Sequence, residues 1–550
     1  MKHFFSVGGW WMLLVLLSSA VYGQAPQWQN VTSFGSAYTT STATDASGNI
    51  YLTGAFQNTV TFGATTLTSV GQSDIFVAKW SPATGRFLWA KRAGGSAGEQ
   101  AVSLAVSGGN VYIGGIFDSR SVSFDNVTIA NGGNFATTDL FVAKLTDTGS
   151  SADFVWAVRA GGNDYDSMSC LVAAGSTLYL ATNQHSPAAT YGGITVAATG
   201  TDAVVAKLTD AGTSVSFVWA QPTGGTSLYV YALALQGSDL YLGGNFTGPT
   251  TLGGFPLPNT NIAVTPYVAK LTDQGSSGTF RWVLAGDGGG SVAALAVSGT
   301  SVYLAGSMSS SFRLGLGSVS LTNANASTQD AFFAKLTDTG SAPTAVWGQR
   351  AGGISHEYVK TLVVRGPAVY ATGNFDGLRS TFGSTTLVNT DQVNGLTEDL
   401  FVTKLLDAGS TGSFAWTKQA GGSSSDGAYG LALSGGLLYL TGGLSQGGSF
   451  DGTTLTGQTS FLAALADPTL ATKPLTTSPL AIYPNPARDE VRVRVPTHAG
   501  PVTLMDATGR RLRLVTPLPG QADVRVPLQG LPAGVYVLRA GAATGRLVKQ

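Results

Sequence analysis

The chain of 550 residues is long enough for two to four domains, and its 43% hydrophobic content excludes wholesale disorder. Charged residues make up only 11% while glycine occurs 74 times, which disfavours long helices and favours short strands joined by tight turns. The formal net charge of zero gives no indication of a nucleic-acid partner.

The N-terminal segment has the pattern of an export signal. Lys2 precedes an apolar run, and Val21 and Gly23 follow it, so we expect a signal peptide over residues 1–23 that is cleaved before Gln24. The alternative is a membrane anchor, but the apolar run is short for a span. No later stretch is apolar for about 18 residues, so we expect no transmembrane helix in the mature protein.

Residues 24–467 contain an internal repeat of about 63 residues. Each unit has an apolar strand pair such as LAVSGGNVYIGG from Leu104, a short hairpin such as FGATTL from Phe62, and a strand such as DLFVAKL from Asp139. A tryptophan marks each unit, at Trp28, Trp89, Trp156, Trp219, Trp282, Trp347 and Trp416. Four strands per unit are typical of a propeller blade, and we expect the tryptophans to pack between blades.

The phase of the repeat predicts how the array closes. The first unit begins with the Trp28 strand, and the seventh ends at SFLAAL from Ser460 without a tryptophan strand of its own. We therefore expect residues 26–33 to pair with residues 459–466, which would seal a seven-bladed β-propeller and leave no long sheet edge exposed.

The repeat resembles a known bacterial family, the SBBP β-propeller repeat. The run from Asp45 to Gly54, DASGNIYLTG, is similar to the last part of that family's pattern, whereas other units replace its aspartate with Ser or Gln. The resemblance implies a propeller fold, and the family has no single agreed activity.

The C-terminal region differs in composition and pattern. Residues 468–479 are rich in Pro and Thr and read as a linker. Residues 480–550 alternate apolar and polar residues, as in VRVRV from Val491, and about seven short strands there suit a small Ig-like β-sandwich. The fold class that we predict is therefore all-β, a seven-bladed propeller followed by this sandwich.

The same region resembles the type A sorting domain of the type IX secretion system. The residues that carry the resemblance are Tyr483, Pro484, Asn485, Pro486, Asp506, Gly509, Gly534, Tyr536 and Lys549. The resemblance implies that the secretion machinery recognises residues 480–550 and that the protein is secreted or attached to the outer surface. The alternative is a generic sandwich that binds carbohydrate.

Four acids recur after the Gly-Gly of different units. Glu99, Asp166, Glu357 and Asp426 stand just before the strand that would line a central channel, where carboxylate oxygens could bind Ca²⁺. The alternative is that they are solvated loop acids in turn hydrogen bonds. The lysine of each FVAKL strand, Lys79 among them, repeats too regularly for a site, and we expect it to extend to solvent.

The sequence contains no complete catalytic motif, and we expect that the protein is not an enzyme and binds no cofactor. The sequence G-G-S-A-G from Gly94 lacks the strand-to-helix context of a nucleophile, and His356-Glu357 lacks a second histidine. Cys170, the only cysteine, excludes an intramolecular disulfide and reads as a small buried hydrophobe. We expect a surface or secreted binding and scaffold protein with a glycan or protein ligand. A glycan-active propeller enzyme and a structural coat protein are the alternatives.

Overall fold

The structure is a computed structural model that describes residues 26–133, 137–258, 264–314, 319–325, 327–391, 393, 395–467, 470, 481–494, 501–506, 511–518, 521, 523–540 and 543–550. These residues form β-strands, turns and loops, and none of them lies in a helix. Accordingly, no described helix is long and apolar enough to span a bilayer. The signal peptide over residues 1–23 and nearly all of the linker over residues 468–479 lie outside the described residues. The chain divides into two compact units, residues 1–468 and 469–550.

The first unit contains seven antiparallel sheets, which we call sheets 1 to 7, each with four main strands A to D; a hairpin from the next repeat extends sheets 2 and 5 to six strands. The strands of sheet 1 are Ala37–Thr44, Ile50–Phe56, Asp74–Ser81 and Arg86–Ala93. Those of sheet 2 are Glu99–Ser107, Asn110–Phe117, Asp139–Asp147 and Ala152–Gly162. Those of sheet 3 are Ser167–Ala174, Thr177–Gln184, Asp202–Asp210 and Val215–Pro222. The strands of sheet 4 are Leu228–Gln236, Asp239–Phe246, Thr265–Asp273 and Gly278–Ala285. Those of sheet 5 are Gly290–Ser298, Ser301–Met308, Asp330–Asp338 and Pro343–Gly353. Sheet 6 has Glu357–Arg365, Ala368–Phe375, Asp399–Asp407 and Gly412–Ala420, and sheet 7 has Asp426–Ser434, Leu437–Leu444, Thr459–Ala466 and Gln27–Ser33.

A short hairpin joins strand B to strand C in every sheet, as the F-G-x-x-x-L pattern predicts. The seven hairpins are Thr59–Phe62 with Thr65–Thr68, Ser121–Phe124 with Val127–Ala130, Ala188–Tyr191 with Ile194–Ala197, Thr250–Leu252 with Phe255–Leu257, Phe312–Leu314 with Val319–Leu321, Arg379–Phe382 with Thr385–Val388, and Gly447–Phe450 with Thr453–Thr456. Their turns use the conformational freedom of glycine, for example at Gly63, where φ is 61°.

The predicted pairing of the two ends of the repeat is confirmed. Strand D of sheet 7, Gln27–Ser33, pairs antiparallel with Thr459–Ala466, so that Trp28 lies opposite Leu465 and Ser33 opposite Phe461. Each A strand also contacts the A strand of the next sheet, and that of sheet 7 contacts that of sheet 1. The sheets therefore follow one another around a propeller-like ring.

Apolar side chains fill the junctions between adjacent sheets. Trp89 of sheet 1 packs in one buried cluster with Leu104 and Val111 of sheet 2, and Phe76 of sheet 1 shares another with Tyr439 of sheet 7. The core therefore lies between the sheets, which explains why the B and C strands are apolar on both faces.

A polar contact recurs beside these cores, and we call it the aspartate clasp. Tyr112, Lys144 and Trp156, from strands B, C and D of sheet 2, all donate hydrogen bonds to Asp210 at the end of strand C in sheet 3, over 2.7, 2.7 and 3.0 Å. At other junctions the same position is held by an aspartate that accepts from the tryptophan of the preceding sheet: Asp147, Asp273, Asp338 and Asp407. The prediction that the tryptophans pack between repeats is thus confirmed for the five whose indole groups reach a clasp aspartate, Trp89, Trp156, Trp219, Trp282 and Trp347.

The expectation that the repeated lysines extend to solvent is wrong. The side chains of Lys79 and Lys144 are each 5% exposed, and their ammonium groups reach the clasp aspartate of the next sheet. The reason is that this aspartate supplies a compensating charge inside the junction, so the lysine stem and its charge can both be buried.

The junction between sheets 7 and 1 lacks the clasp. Ala464 occupies the lysine position, Pro82 the aspartate position and Asn30, opposite Ala464, the tryptophan position. Trp28 lies opposite Leu465, as Phe154 lies opposite Leu145 in sheet 2, so the expectation that Trp28 belongs to the tryptophan series is wrong. Its indole nitrogen is buried without a hydrogen-bond partner, and its ring packs edge-on against Phe450, with ring centroids 5.1 Å apart. Apolar packing between sheets 7 and 1 therefore replaces the clasp at this junction.

The second unit is a two-sheet β-sandwich among the described residues. One sheet contains Ala481–Tyr483, Glu490–Arg494 and Asp523–Pro527, and the other contains Arg511–Val515, Val502–Met505, Gly534–Ala540 and Ala543–Lys549. The alternate valines Val491 and Val493 are fully buried in its core with Leu504, whereas Arg492 is exposed. The described part of VRVRV, residues 491–494, therefore turns its valines to the core and its arginines to the surface, as predicted.

Candidate functional site

Every A strand contains one residue that the pairing register skips. In sheet 4 the register passes from Val230 to Ala232 and leaves Tyr231 out of the ladder, and in sheet 6 it leaves out Lys360. Such β-bulges re-aim a side chain and are frequent next to functional sites. The seven skipped residues, which we call the channel ring, are Thr40, Val102, Ser169, Tyr231, Ala293, Lys360 and Tyr429.

All seven residues of the channel ring line one cavity of about 200 Å³. Residues from the A strands of all seven sheets contribute to its wall, so the cavity is the central channel. Side-chain hydroxyls from Ser41, Ser103 and Thr361 also lie along it. The prediction that the first strand of each unit lines the channel is confirmed.

The channel ring is chemically varied, whereas the frame around it repeats. The ring combines two tyrosines, a lysine, two hydroxyl residues and two small apolar residues, although the flanking LAV, VYL and FVAKL strands are nearly uniform. A position that varies among otherwise similar repeats is less constrained by the fold than its uniform neighbours, although the hydroxyls of Thr40 and Ser169 donate to the carbonyls of Ala101 and Val230 in the next sheet. The side-chain types of these seven residues therefore set which chemical groups a ligand in the channel would meet.

Aromatic rings lie on opposite sides of the channel. Tyr38 and Tyr429, from sheets 1 and 7, have ring centroids 5.0 Å apart, while Tyr229 and Tyr231 of sheet 4 are 6.2 Å apart and nearly parallel. In a ring of seven sheets, sheet 4 lies across from the junction of sheets 7 and 1. Tyr38 and Tyr231 remain 46% and 40% exposed, so the aromatic faces are accessible to a ligand.

Amide and acidic groups accompany these tyrosines. Asn245 donates a 3.4 Å hydrogen bond to the Tyr231 hydroxyl. Asn374 donates to Glu398 over 3.2 Å and accepts the backbone N–H of Ala428. The site thus combines aromatic surfaces with hydrogen-bonding groups, a combination that suits polar ligands with an apolar face.

The four acids of the sequence analysis lie at the start of A strands, but they are buried instead of solvated. Each is at most 2% exposed. Glu99 accepts the backbone N–H of Gly95 over 2.7 Å, and Asp166 and Asp426 accept those of Gly162 and Gly422 over 2.8 and 2.6 Å. The turn hydrogen bonds are therefore present, whereas contact with solvent is not.

Glu357 differs from the other three. Neither of its carboxyl oxygens has a hydrogen-bond partner, and Oδ1 of Asp330 and the hydroxyl of Ser380 are likewise buried and unpaired. Burial raises the pKa of Glu357 to about 9, and the neighbouring Asp330 charge adds to the effect. Burial also raises the pKa of Asp426 to about 7.

The four acids do not form a shared metal cluster in the described structure. Each lies at its own sheet, and nowhere among the described residues do three His, Cys, Asp or Glu side chains come close enough together to hold an ion. Binding of Ca²⁺ by these acids stays a prediction.

Cys170 lies beside the channel, half-buried against the core between sheets 3 and 4. Its thiol donates to the carbonyl of Tyr231 over 3.1 Å, and burial raises its pKa to about 12. The small-hydrophobe interpretation therefore describes its surroundings, although part of the residue faces the cavity.

In the second unit, the predicted sorting residues join its two ends. Asn485 donates to the carbonyl of Arg546 over 2.7 Å and accepts the N–H of Val548 over 2.9 Å. Tyr536 donates to the carbonyl of Pro532 over 2.7 Å, in the turn before its own strand. Pro484 and Pro486 flank Asn485, Gly534 begins the strand of Tyr536, and Lys549 ends the last strand. Asp506 follows the strand Val502–Met505, and Gly509 lies outside the described residues.

Comparisons with known proteins identify the second unit. No curated protein matches the chain. Among solved structures, a protein of unknown function from Dyadobacter fermentans DSM 18053 is 11% identical, with 80% of this chain and 97% of that chain covered and a TM-score of 0.34. Drosophila Semaphorin 2a is 8% identical, with 96% and 98% covered and a TM-score of 0.28.

Residues 481–550 match the family model of the secretion system C-terminal sorting domain. The match covers the strands that Asn485 and Tyr536 stabilise, in agreement with the motifs of the sequence. The chain therefore carries a C-terminal sorting domain of type IX secretion, which marks it as a protein exported to the cell surface or secreted.

Proposed function

We propose that this exported protein is a binding and scaffold protein whose ligand enters the central channel and contacts the channel ring. The observation that carries the proposal is the set of seven bulges. They place one side chain from each repeat around one cavity, and these side chains include aromatic, basic, hydroxyl and apolar types. The exposed faces of Tyr38 and Tyr231 support it, because aromatic surface at a concave polar site is suited to ligand binding.

We propose further that sheets 1 to 7 are the blades of a seven-bladed propeller of the SBBP type, spanning residues 24–467. The pairing of Gln27–Ser33 with Thr459–Ala466 supports seven blades, and the run DASGNIYLTG supports the repeat type. Residues 480–550, with their three-stranded and four-stranded sheets, are proposed to be Ig-like.

We propose that the protein is not an enzyme and works without a metal or cofactor. Glycosidase chemistry requires two carboxyl groups about 5 to 10 Å apart in a pocket. The residues that line the channel in the described structure include no carboxylate, and Glu99, Asp166 and Asp426 are engaged by backbone N–H groups. A glycan-active enzyme and a purely structural coat protein are the alternatives.

The test is a glycan array probed with the whole secreted protein, followed by product analysis for cleaved oligosaccharide. We expect binding without cleavage, and Tyr231→Ala to weaken it about tenfold through the loss of one aromatic contact. Tyr165→Ala is the matched control, because Tyr165 is 60% exposed but lies outside the channel. Equal loss in both variants, or no binding to glycan or protein ligands, would exclude the channel as the site.

A further inference from the structure

Lys360 is the one charged residue among those that line the channel in the described structure. It belongs to the channel ring, and the register of sheet 6 skips it between Val359 and Thr361. Its ammonium group lies over the ring of Tyr358, 5.5 Å from the centroid. A positive charge therefore stands at the wall of a narrow cavity.

No acidic side chain of the described structure pairs with this lysine. Every lysine of the FVAKL strands, from Lys79 to Lys404, has an aspartate partner, and Lys418 pairs with Asp451. Glu398 accepts a hydrogen bond from Asn374. Lys360 is exposed, so its ammonium group is open to an anionic group that enters the channel.

We propose that the channel recognises an acidic saccharide, a pyranose that bears a carboxylate or sulfate group. This inference rests on the proposed function and names the ligand class. Lys360 pairs with the anionic substituent, while the tyrosine faces contact the apolar face of the sugar ring. The hydroxyls of Ser103 and Ser169 are held by hydrogen bonds within the protein, so the lysine and the exposed face of Tyr231 carry the recognition.

The cavity dimensions favour a sugar over a protein surface. A volume of about 200 Å³ holds one sugar residue or the end of a chain, whereas a folded partner would need a wide flat patch. An acidic peptide could also present a carboxylate, but it would offer no ring face to the exposed side of Tyr231. The experiment separates the two.

The probes are oligogalacturonate, its methyl ester, a sulfated oligosaccharide and oligo-glutamate, titrated calorimetrically into the whole secreted protein. We expect the acidic sugars to bind about two- to fivefold more tightly than the ester, the range of an exposed ion pair. Lys360→Gln is expected to remove that preference and Lys360→Arg to retain it. Arg281→Gln, which removes an exposed charge on strand D of sheet 4, is the matched control.

Equal binding of acid and ester that Tyr231→Ala still weakens would overturn the acidic ligand but leave the channel as the binding site. Tight binding of oligo-glutamate would overturn the saccharide. Absence of binding by all four probes would overturn this inference, and the array would then decide the proposed function separately. An unchanged melting temperature of Lys360→Gln shows that its effect arises from the lost contact.

Discussion

The ammonium group of Lys144 lies 2.7 Å from the carboxylate of Asp210, although the two residues belong to neighbouring sheets. Burial opposes ionisation of Asp210, but hydrogen bonds from Lys144, Tyr112 and Trp156 together hold its pKa below the ordinary value. The same direction is found for Asp147, Asp273, Asp338 and Asp407. The clasp aspartates are therefore ionised partners that join one sheet to the next.

Asp210→Ala is expected to lower the free energy of unfolding by about 3 to 5 kcal/mol, because it leaves the buried charge of Lys144 without a partner. The measurement is chemical denaturation followed by tryptophan fluorescence. Asp153→Ala is the control, since Asp153 is 75% exposed and its ion pair is worth at most about 1 kcal/mol. A loss below 1 kcal/mol for Asp210→Ala would contradict a stabilising role for the clasp.

The junction of sheets 7 and 1 should open more readily than any clasped junction. Pro82 and Ala464 replace the charged pair there, so fewer polar contacts resist separation. In hydrogen-exchange mass spectrometry of the whole protein, we expect peptides covering Ala37–Thr44 and Asp426–Ser434, the A strands that meet at this junction, to exchange faster than those of sheet 3. Slower exchange at this junction than at Asp202–Asp210 would refute the expectation.

The stability of the first unit should fall as the pH rises above about 5. Glu357 has a folded-state pKa of about 9 against an ordinary 4.5, so the folded protein keeps a proton that the unfolded chain releases in this window. The associated stability is complete below pH 4.5 and is lost progressively up to pH 9. Asp426, raised from 3.8 to about 7, acts in the same direction.

Glu357→Gln should therefore raise the melting temperature at pH 8 more than at pH 5. The clasp aspartates act oppositely, since their lowered pKa values give stability that disappears only below about pH 3.8. Melting curves from pH 3 to 9 test both signs. Asp153→Asn, at an exposed position, serves as the reference, and a Glu357→Gln curve parallel to the parent's would disprove the assignment.

Asn485→Ala should destabilise the second unit by about 1 to 3 kcal/mol and reduce the secreted fraction, because it removes the bonds to Arg546 and Val548. Tyr483→Phe provides the comparison, since it removes one exposed hydrogen bond to Asp523. Immunoblots of cell and medium fractions measure the outcome. Normal secretion of Asn485→Ala with a destabilised domain would separate export from folding.

Much of the strand order could be predicted because the repeat carries its own register. The phase of the repeat identified the segment around Trp28 as the missing strand of the last unit, and that strand pairs with residues 459–466, but with Asn30 instead of Trp28 at the tryptophan position. The clasp could not be predicted in the same way. Lys144 stands three positions before Asp147, but it pairs with Asp210, and only the packing of sheet on sheet reveals that shift.

The channel ring was missed for a related reason. A bulge at Tyr231 or Lys360 has no glycine signature, so the strand reads as regular, and a column of unlike residues looks like ordinary variation. Comparing the repeats position by position, and asking which column varies, would have found it. The burial of Glu357 likewise depends on neighbours from other elements that spacing alone does not place.

The pairing of Gln27–Ser33 with Thr459–Ala466 also imposes an order on folding. The earliest part of the repeat region to be synthesised must wait for the latest before it acquires a partner, while six sheets in between can assemble from consecutive sequence. A chain interrupted before residue 459 would carry an orphaned leading strand and an incomplete terminal sheet. Maturation of this protein is thus coupled to completion of its own translation.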